Sequence, residues 1–485
     1  MATQASPAPP WGGAPRIPLW APAAAAAGGV LAVLQPAAAV GYVVLLALVL
    51  AVRDRPLPAV AVVLTAVTAL AALAGPNLAV PAAPGVFLFR VLIVVLGLGA
   101  LLYVLLGGAL RWPAVLSLPA GLLGLLVAWA AASLAWSQDV VAAARWTVLL
   151  AMMAALAVAL PVAFGTRRRA IRLLVALGIA FGVVTLISLL EIVAGIRLPT
   201  SRLAGRSPDA AFAATSVFGN ENNLATYLTL TLPYFLVLVV VFRDVRLRAL
   251  GLVGGLACLL ALLYTGSKSN LLATALVLAG LLVVLATDPR QRRRALSAAV
   301  VAGLAALVVV PALRGAGVVP LPERALDKFS FSLLQEQVEQ GVGSGAVRSN
   351  LLDDGLALVV DTGGVGVGAG NADVRIRSLA DFPGVSNLHN WWLEVLVNLG
   401  LIGLALYVTL YGLLFGRQLR AARRTRDPLV RYLALAGAVS LVGFVAGSLG
   451  PSSVLTFAPL WITLGMGMLT LVLWRRAEAE GGRLR

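Results

Sequence analysis

The sequence predicts an all-α fold, a polytopic transmembrane helix bundle of 12–14 spans with one large external loop containing amphipathic helices. Three observations predict it. Of 485 residues, 60% are hydrophobic and 12% charged, with a mean hydropathy of +0.97. Apolar runs near the ~20 residues needed to cross a bilayer recur along most of the chain. Arginine clusters mark alternate connections between those runs, as the positive-inside rule requires of cytoplasmic loops. So few charges could not cover the surface of a soluble enzyme, and the composition equally excludes a disordered scaffold or a secreted disulfide framework. Cys258 is the only cysteine, lies within an apolar run and has no internal partner.

In chain order, the stretch 20–52 is apolar and is interrupted by Pro36, which predicts two short helices. Spans follow at 57–75, 86–110, 114–135, 145–164 and 170–195, then at 222–242, 248–264, 268–287 and 296–314. The last three are 391–416, 429–449 and 454–474. Between them, Arg53 and Arg55, Arg167 to Arg169, Arg243 to Arg248, Arg290 to Arg294, Arg417 to Arg431, and Arg475 with Arg476 fall on one side, which is read as cytoplasmic. The net charge of +17 is therefore a topology signal, and no nucleic-acid partner is expected. Three regions result: an N-terminal transmembrane bundle at 1–314, an extracytoplasmic loop at 315–390, and C-terminal transmembrane helices with a basic cytoplasmic tail at 391–485.

The cations on the other side are more informative, because topology does not call for them. They are Arg90, Arg145, Arg197, Arg202, Arg206, Lys268, Arg314, Arg324, Lys328, Arg348, Arg375 and Arg377. Some have acidic partners within reach in sequence, others can reach lipid phosphates, and the remainder are candidates for an anionic substrate. Within the long loop, 323–340 reads as one helix and 347–360 as a second, amphipathic one. Leu351, Leu352, Leu356, Val359 and Val360 form its apolar face, opposite Asn350, Asp353, Asp354 and Asp361. The glycine run 363–370 marks close backbone approach or positive φ, with a plain turn and a phosphate cradle as alternatives.

His389, the only histidine, stands in Ser386-Asn387-Leu388-His389-Asn390-Trp391-Trp392-Leu393-Glu394 at the head of a span. An imidazole with an unperturbed pKa near ~6.5 can accept a proton from an attacking hydroxyl at neutral pH. Glu394 follows four to five residues on, close to the face of His389 or Asn390. Lys268 sits in the hairpin Tyr264-Thr265-Gly266-Ser267-Lys268-Ser269-Asn270, where a charge is costly unless it snorkels or binds something. Phe218-Gly219-Asn220-Glu221-Asn222-Asn223 opens another span with amides that either cap the helix or bond a ligand. A single His and a single Cys exclude a histidine or thiolate metal site, and no Walker-type nucleotide loop is present.

At these residues the chain resembles the superfamily of O-antigen ligases and polymerases, teichuronic-acid-type proteins included, over roughly 200–410. The resemblance rests on Phe218 to Ala225 (G-N-x-N-x-x-A), Thr265 to Ser269, Gly364-Val365-Gly366-Val367-Gly368-Ala369-Gly370-Asn371, and His389 to Glu394 running to Leu399-Gly400-Leu401-Ile402-Gly403. It implies an integral glycosyltransferase of the bacterial plasma membrane. Such an enzyme takes a glycan from a polyprenyl-pyrophosphate carrier on the extracytoplasmic side and passes it to a hydroxyl of a lipid, protein or polysaccharide, with no metal, nucleotide or other cofactor. His389 would be general base or orient the acceptor, and Lys268 with Arg202 or Arg206 would stabilise the departing pyrophosphate. Asn220, Asn222, Asn223, Asn390, Glu394, Arg375, Arg377, Gly368, Gly370 and Asn371 would bind substrate. A polymerase on the same carrier fits the same motifs. A lipid-linked glycan transporter is the competing class, and the scarcity of intramembrane acids other than Glu191 counts against it.

Overall fold

The computed structural model describes 112–205, 213–286, 343–379, 387–451 and 455–482, together with Thr65 and Thr68. The expected spans at 20–52, 57–75, 86–110 and 296–314, the helix at 323–340 and the cations Arg90, Arg206, Arg314, Arg324 and Lys328 lie outside the described residues, Thr65 and Thr68 apart. Eleven α-helices are described: α1 Ser117–Ala132, α2 Val140–Phe164, α3 Arg167–Ala194, α4 Glu221–Val241, α5 Val245–Thr265, α6 Lys268–Ala286, α7 Gly343–Asp361, α8 Ala372–Leu379, α9 Trp391–Arg424, α10 Pro428–Gly447 and α11 Ala458–Gly482. All but α7 and α8 are long and apolar enough to cross a membrane, with α1 extended by short 3-10 turns to Ala114–Ala135. The nine match nine of the spans read from hydropathy.

Their ends follow local chemistry. Asp139, Asn220, Asp244, Asn390 and Asp427 each accept backbone N–H groups in the first turn of α2, α4, α5, α9 and α10. Pro428 fits the first turn of α10, where no N–H is required. Gly266 closes α5 at φ +62, which lets α6 turn back after two residues.

The most buried span is α11, which packs most extensively along α2 and then against α10 and α9. Trp461, Leu464, Met468 and Leu471 of α11 are buried to 1% exposure or less. Small residues bring the helices close: a Cβ on Gly465 would stand 2.8 Å from the Ala157 carbonyl oxygen of α2. Gln418 of α9 is buried against Gly437 of α10 and Gly467 of α11. The arginine-rich termini of α3, α5, α9, α10 and α11 share one end of the bundle, and Arg167 pairs there with Asp427.

Two features differ from the sequence expectation. α9 is broken at Gly400, whose φ of 65 and ψ of −166 are not helical. The Trp391 N–H bonds Ser448 O beyond the C-terminus of α10 (3.3 Å), while the Leu399 carbonyl accepts from Trp129 Nε1 near the C-terminus of α1 (2.7 Å). Trp391–Leu399 therefore runs across the end of the bundle, and the crossing limb begins at Leu401. α7 is confirmed as a helix, but its apolar residues do not form one face. Leu351, Gly355 and Leu358 pack inward, against Leu388, Leu393 and Val397 among others, while Leu352, Leu356 and Val360 remain exposed. An apolar arc wide enough for both is what a helix pressed between a bundle and an apolar medium requires.

Candidate active site

The end opposite the arginine clusters gathers the start of α4, the α5–α6 hairpin, the start of α9, the loop after α10 and the start of α7. His389 is fixed between the extended entry to α9 and its cap. Its N–H donates to Asn387 Oδ1 (2.9 Å), and its φ of +49 places it in the left-handed region, rare for a side-chain-bearing residue. Asn390 then accepts from the N–H groups of Trp392 and Leu393 at 3.1 and 3.3 Å. The imidazole is half-buried, with the backbone carbonyls of Gly450 and Pro451 hydrogen-bonded to the ring and Nδ1 buried without a partner.

Burial holds the His389 pKa below the ordinary imidazole value, and the guanidinium groups of Arg348 and then Arg202 push in the same direction. The two carbonyls oppose them. Arg348, on α7, is itself depressed by burial but remains a cation at physiological pH. Arg202 lies in the turn after α3, where its N–H donates to Gly219 O (2.9 Å) and its side chain pairs with Glu221. The other oxygen of that carboxylate, Glu221 Oε2, is buried without a partner among the described residues, as is Asn223 Oδ1. Since His389 is the only imidazole in the chain, its titration can be read directly by NMR of labelled histidine. Its midpoint is expected below that of free histidine and should move up in Arg348→Ala; an unchanged midpoint would separate Arg348 from the ring.

The hairpin bearing Lys268 touches the same loop. Asn270, fully buried, donates to Ser267 Oγ (3.1 Å) and Thr226 Oγ1 (3.2 Å). A Cβ on Gly450 would stand 2.7 Å from Asn270 Nδ2 and 3.1 Å from Ser269 Oγ. Gly450 thus joins the hairpin to His389. Thr226 Oγ1 also bonds Gly447 O (3.1 Å), tying α4 to the same point.

The remaining sequence candidates divide. Asn220 caps α4, its Oδ1 taking the N–H groups of Asn222 (2.8 Å) and Asn223 (3.4 Å). Arg206 lies outside the described residues. Asn371 is fully buried and grips the α1–α2 turn. Its Oδ1 accepts from Asp139 N–H (2.7 Å), and its Nδ2 donates to Asp139 O (3.1 Å) and Ala369 O (3.0 Å). Gly368, at φ +97, gives its N–H to Asn398 O (3.0 Å), and a Cβ there would stand 2.1 Å from Ser137 Oγ. Gly370 backs onto Trp146, with 2.8 Å between that side chain's Cβ and a Cβ built on the glycine. The N–H groups of Val367, Gly368, Ala369 and Asn371 all bond protein acceptors, so this stretch clamps α9 to the α1–α2 turn and offers none of these four to a phosphate. Arg375 and Arg377 sit on α8, Arg377 beside Asp373. Glu394 neighbours Asp373 and accepts from the Trp146 indole, so the structure groups it with α8 and α2 and not with His389.

Sequence reasoning passed over Arg348 as one outward cation among many and over Gly450 and Pro451 entirely, while Glu221 was read only as the carboxylate of the Asn220–Asn223 cluster and a candidate partner for an outward cation. Gly450-Pro451 at the end of a span was a turn signal visible in the sequence. Arg348 gave no local sign, because the loop that brings it to His389 spans forty residues.

Residues 253–408 match the O-antigen ligase family, a stretch that holds the Lys268 hairpin, Arg348, the glycine clamp and His389. The class that fold and site define is thus a multi-pass membrane protein, and the match supports its place in the O-antigen ligase superfamily. The chain is also 27% identical over 270 residues to the teichuronic acid biosynthesis protein TuaE of Bacillus subtilis (strain 168), covering 54% of this chain and 53% of the relative. It therefore spans about half the length of that curated relative.

Proposed function

We propose that the protein is a membrane glycosyltransferase of ligase type that takes a glycan from a polyprenyl-pyrophosphate carrier at the extracytoplasmic face of a bacterial plasma membrane. The observation that carries this reading is one imidazole held below its ordinary pKa beside two guanidinium groups, at the end of the bundle remote from the arginine clusters. An acceptor hydroxyl oxygen attacks the anomeric carbon, and its proton passes to His389. The bond from that carbon to the pyrophosphate oxygen breaks, and the electron pair leaves with polyprenyl pyrophosphate. Arg348, Arg202 and Lys268 stabilise the charge that grows there, because fixed cations near developing charge lower the barrier. The orphaned Glu221 Oε2 and Asn223 Oδ1 suit glycan hydroxyl donors.

The carrier's chain has a place to lie. An apolar cavity of about 660 Å³ lies among α3, α4, α5, α10 and α11, lined among others by Gly178, Gly182, Thr185, Tyr227 and Phe235. Its Thr185 and Tyr227 end is the one nearer the start of α4, and its other end reaches Phe242 and Leu429 near the arginine-rich termini. A Cβ on Gly182 would meet nothing within 4 Å. Gly182→Phe is expected to raise the KM for long-chain donors about tenfold, as displacing one or two buried methylenes would, and to leave short-chain donors unchanged. Equal KM values for both donor lengths in the variant would remove the chain from this cavity.

The test is transfer by protein in nanodiscs given polyprenyl-pyrophosphate-linked glycan, following glycan and free carrier pyrophosphate together. Coupled appearance of a new conjugate and free carrier is the expected result, and a lengthened carrier-bound glycan would make it a polymerase. Passage of intact lipid-linked glycan across liposomes without bond cleavage would replace the transferase by a transporter.

A further inference from the structure

Glu191, near the C-terminus of α3, has no part in the chemistry above, yet it is a carboxylate with 3% exposure. Burying such a group is costly unless its oxygens are hydrogen-bonded. Here they accept three times from one short segment: Oε2 from the N–H groups of Thr215 (2.7 Å) and Ser216 (2.8 Å), and Oε1 from the Thr215 hydroxyl (2.9 Å). Ser216 is held at φ +47, and its hydroxyl donates to Val184 O (2.8 Å), one and a half to two turns back along α3 from Glu191. The Thr215 hydroxyl also lies 2.8 Å from the Ser201 hydroxyl, and Ser201 Oγ accepts from Leu203 N–H (3.3 Å). Arg202 stands between those two residues, with its own N–H on Gly219 O.

We propose that Glu191 is a positioning residue, whose buried carboxylate fixes the Thr215–Gly219 turn and, through Ser201, the turn that carries Arg202 beside His389. The segment cannot supply this geometry alone. Ser216 is in a conformation that serine rarely adopts, its own hydroxyl is turned to Val184 O, and its N–H and that of Thr215 find their acceptor in the Glu191 carboxylate, which the Thr215 hydroxyl links to Ser201. A charged acceptor makes stronger bonds than a neutral one, so an anion at the centre holds the turn more firmly than an amide would. The role matters only if Arg202 acts at the His389 site, so the inference rests on the function proposed above, but its test does not require turnover.

The test uses the single histidine. Among the described residues, the groups facing the ring are Arg348 from α7, Arg202 with its partner Glu221 from the turn and α4, and the backbone carbonyls of Gly450 and Pro451. Arg202 opposes protonation, so moving it away raises the His389 midpoint. Arg202→Ala is expected to move the NMR midpoint upward, Glu191→Gln to move it upward by a comparable amount, and the double variant to move it no further than Arg202→Ala. Should Glu191→Gln prove unstable, Ser201→Ala, which removes the link while leaving the carboxylate in place, is expected to move the midpoint in the same direction. A rise in Arg202→Ala with no change in Glu191→Gln or Ser201→Ala would reduce Glu191 to a fold contact. No rise in Arg202→Ala would instead remove Arg202 from the site, and the reading of that site with it.

Discussion

Gly400→Ala is expected to destabilise the protein by about 3 kcal/mol or more, the scale of a severe backbone conflict. At φ 65 and ψ −166 the residue occupies a region open essentially to glycine alone. A Cβ there would lie 2.3 Å from both Gly364 O and Val365 O and 2.4 Å from Val365 C, and none of these is a side chain that could swing aside. The clamp would have to open, and with it the Leu401 N–H to Gly364 O bond (2.9 Å). Thermal unfolding of purified protein checks this. The control is Gly412→Ala on the crossing limb of the same helix, where a Cβ meets nothing within 4 Å and alanine is the better helix former. The control is expected to be neutral or slightly stabilising. Equal midpoints for Gly400→Ala and wild type would mean that α9 is continuous.

His389→Ala is expected to lower transfer by a factor of about 10²–10⁴, the usual contribution of a positioned general base, with donor binding and the thermal midpoint little changed. The pH profile carries a signed companion. A general base must be neutral to work, and burial, Arg348 and Arg202 all disfavour its protonation. The acidic limb of the wild-type profile should therefore lie below the ordinary histidine range, activity persisting until pH falls through the depressed pKa. Arg348→Ala should move that limb to higher pH, in step with the NMR midpoint. A His389→Ala variant that retained full transfer, or an acid limb that ignored Arg348, would take the imidazole out of proton transfer.

Much of this was legible in the sequence because hydropathy over twenty residues is a local property. Each described span was visible in that way, and an asparagine cap on α4 was one of the two readings of the Asn220–Asn223 cluster, whereas Asn390 was read only as a substrate contact and proves to cap α9. The break at Gly400 was not. Leu399-Gly400-Leu401-Ile402-Gly403 reads as ordinary membrane helix, and the conformation of Gly400 is imposed by residues 364–366, far away in the chain. The same distance hid Arg348. The glycine run left its choice open for the opposite reason: five glycines with positive φ describe a phosphate cradle and a backbone turn equally well, and only the partners of the amides distinguish the two. For α7, helical period fixed the helix but not which apolar row would face inward.

The break in α9 separates two mechanical tasks. A straight helix would carry His389 up or down whenever the bilayer thickened, thinned or curved, because its height would be set by the length in lipid. Here the segment from Trp391 to Leu399 lies across the end of the bundle, hung on Ser448 at one end and Trp129 near the other. The limb from Leu401 to Arg424 sets the length of this helix in lipid, and residues 364–366 hold Gly400 in place between the two parts. The height of His389 is thus set by contacts at the end of the bundle and not by the length of helix in lipid, as a shelf is set by its brackets.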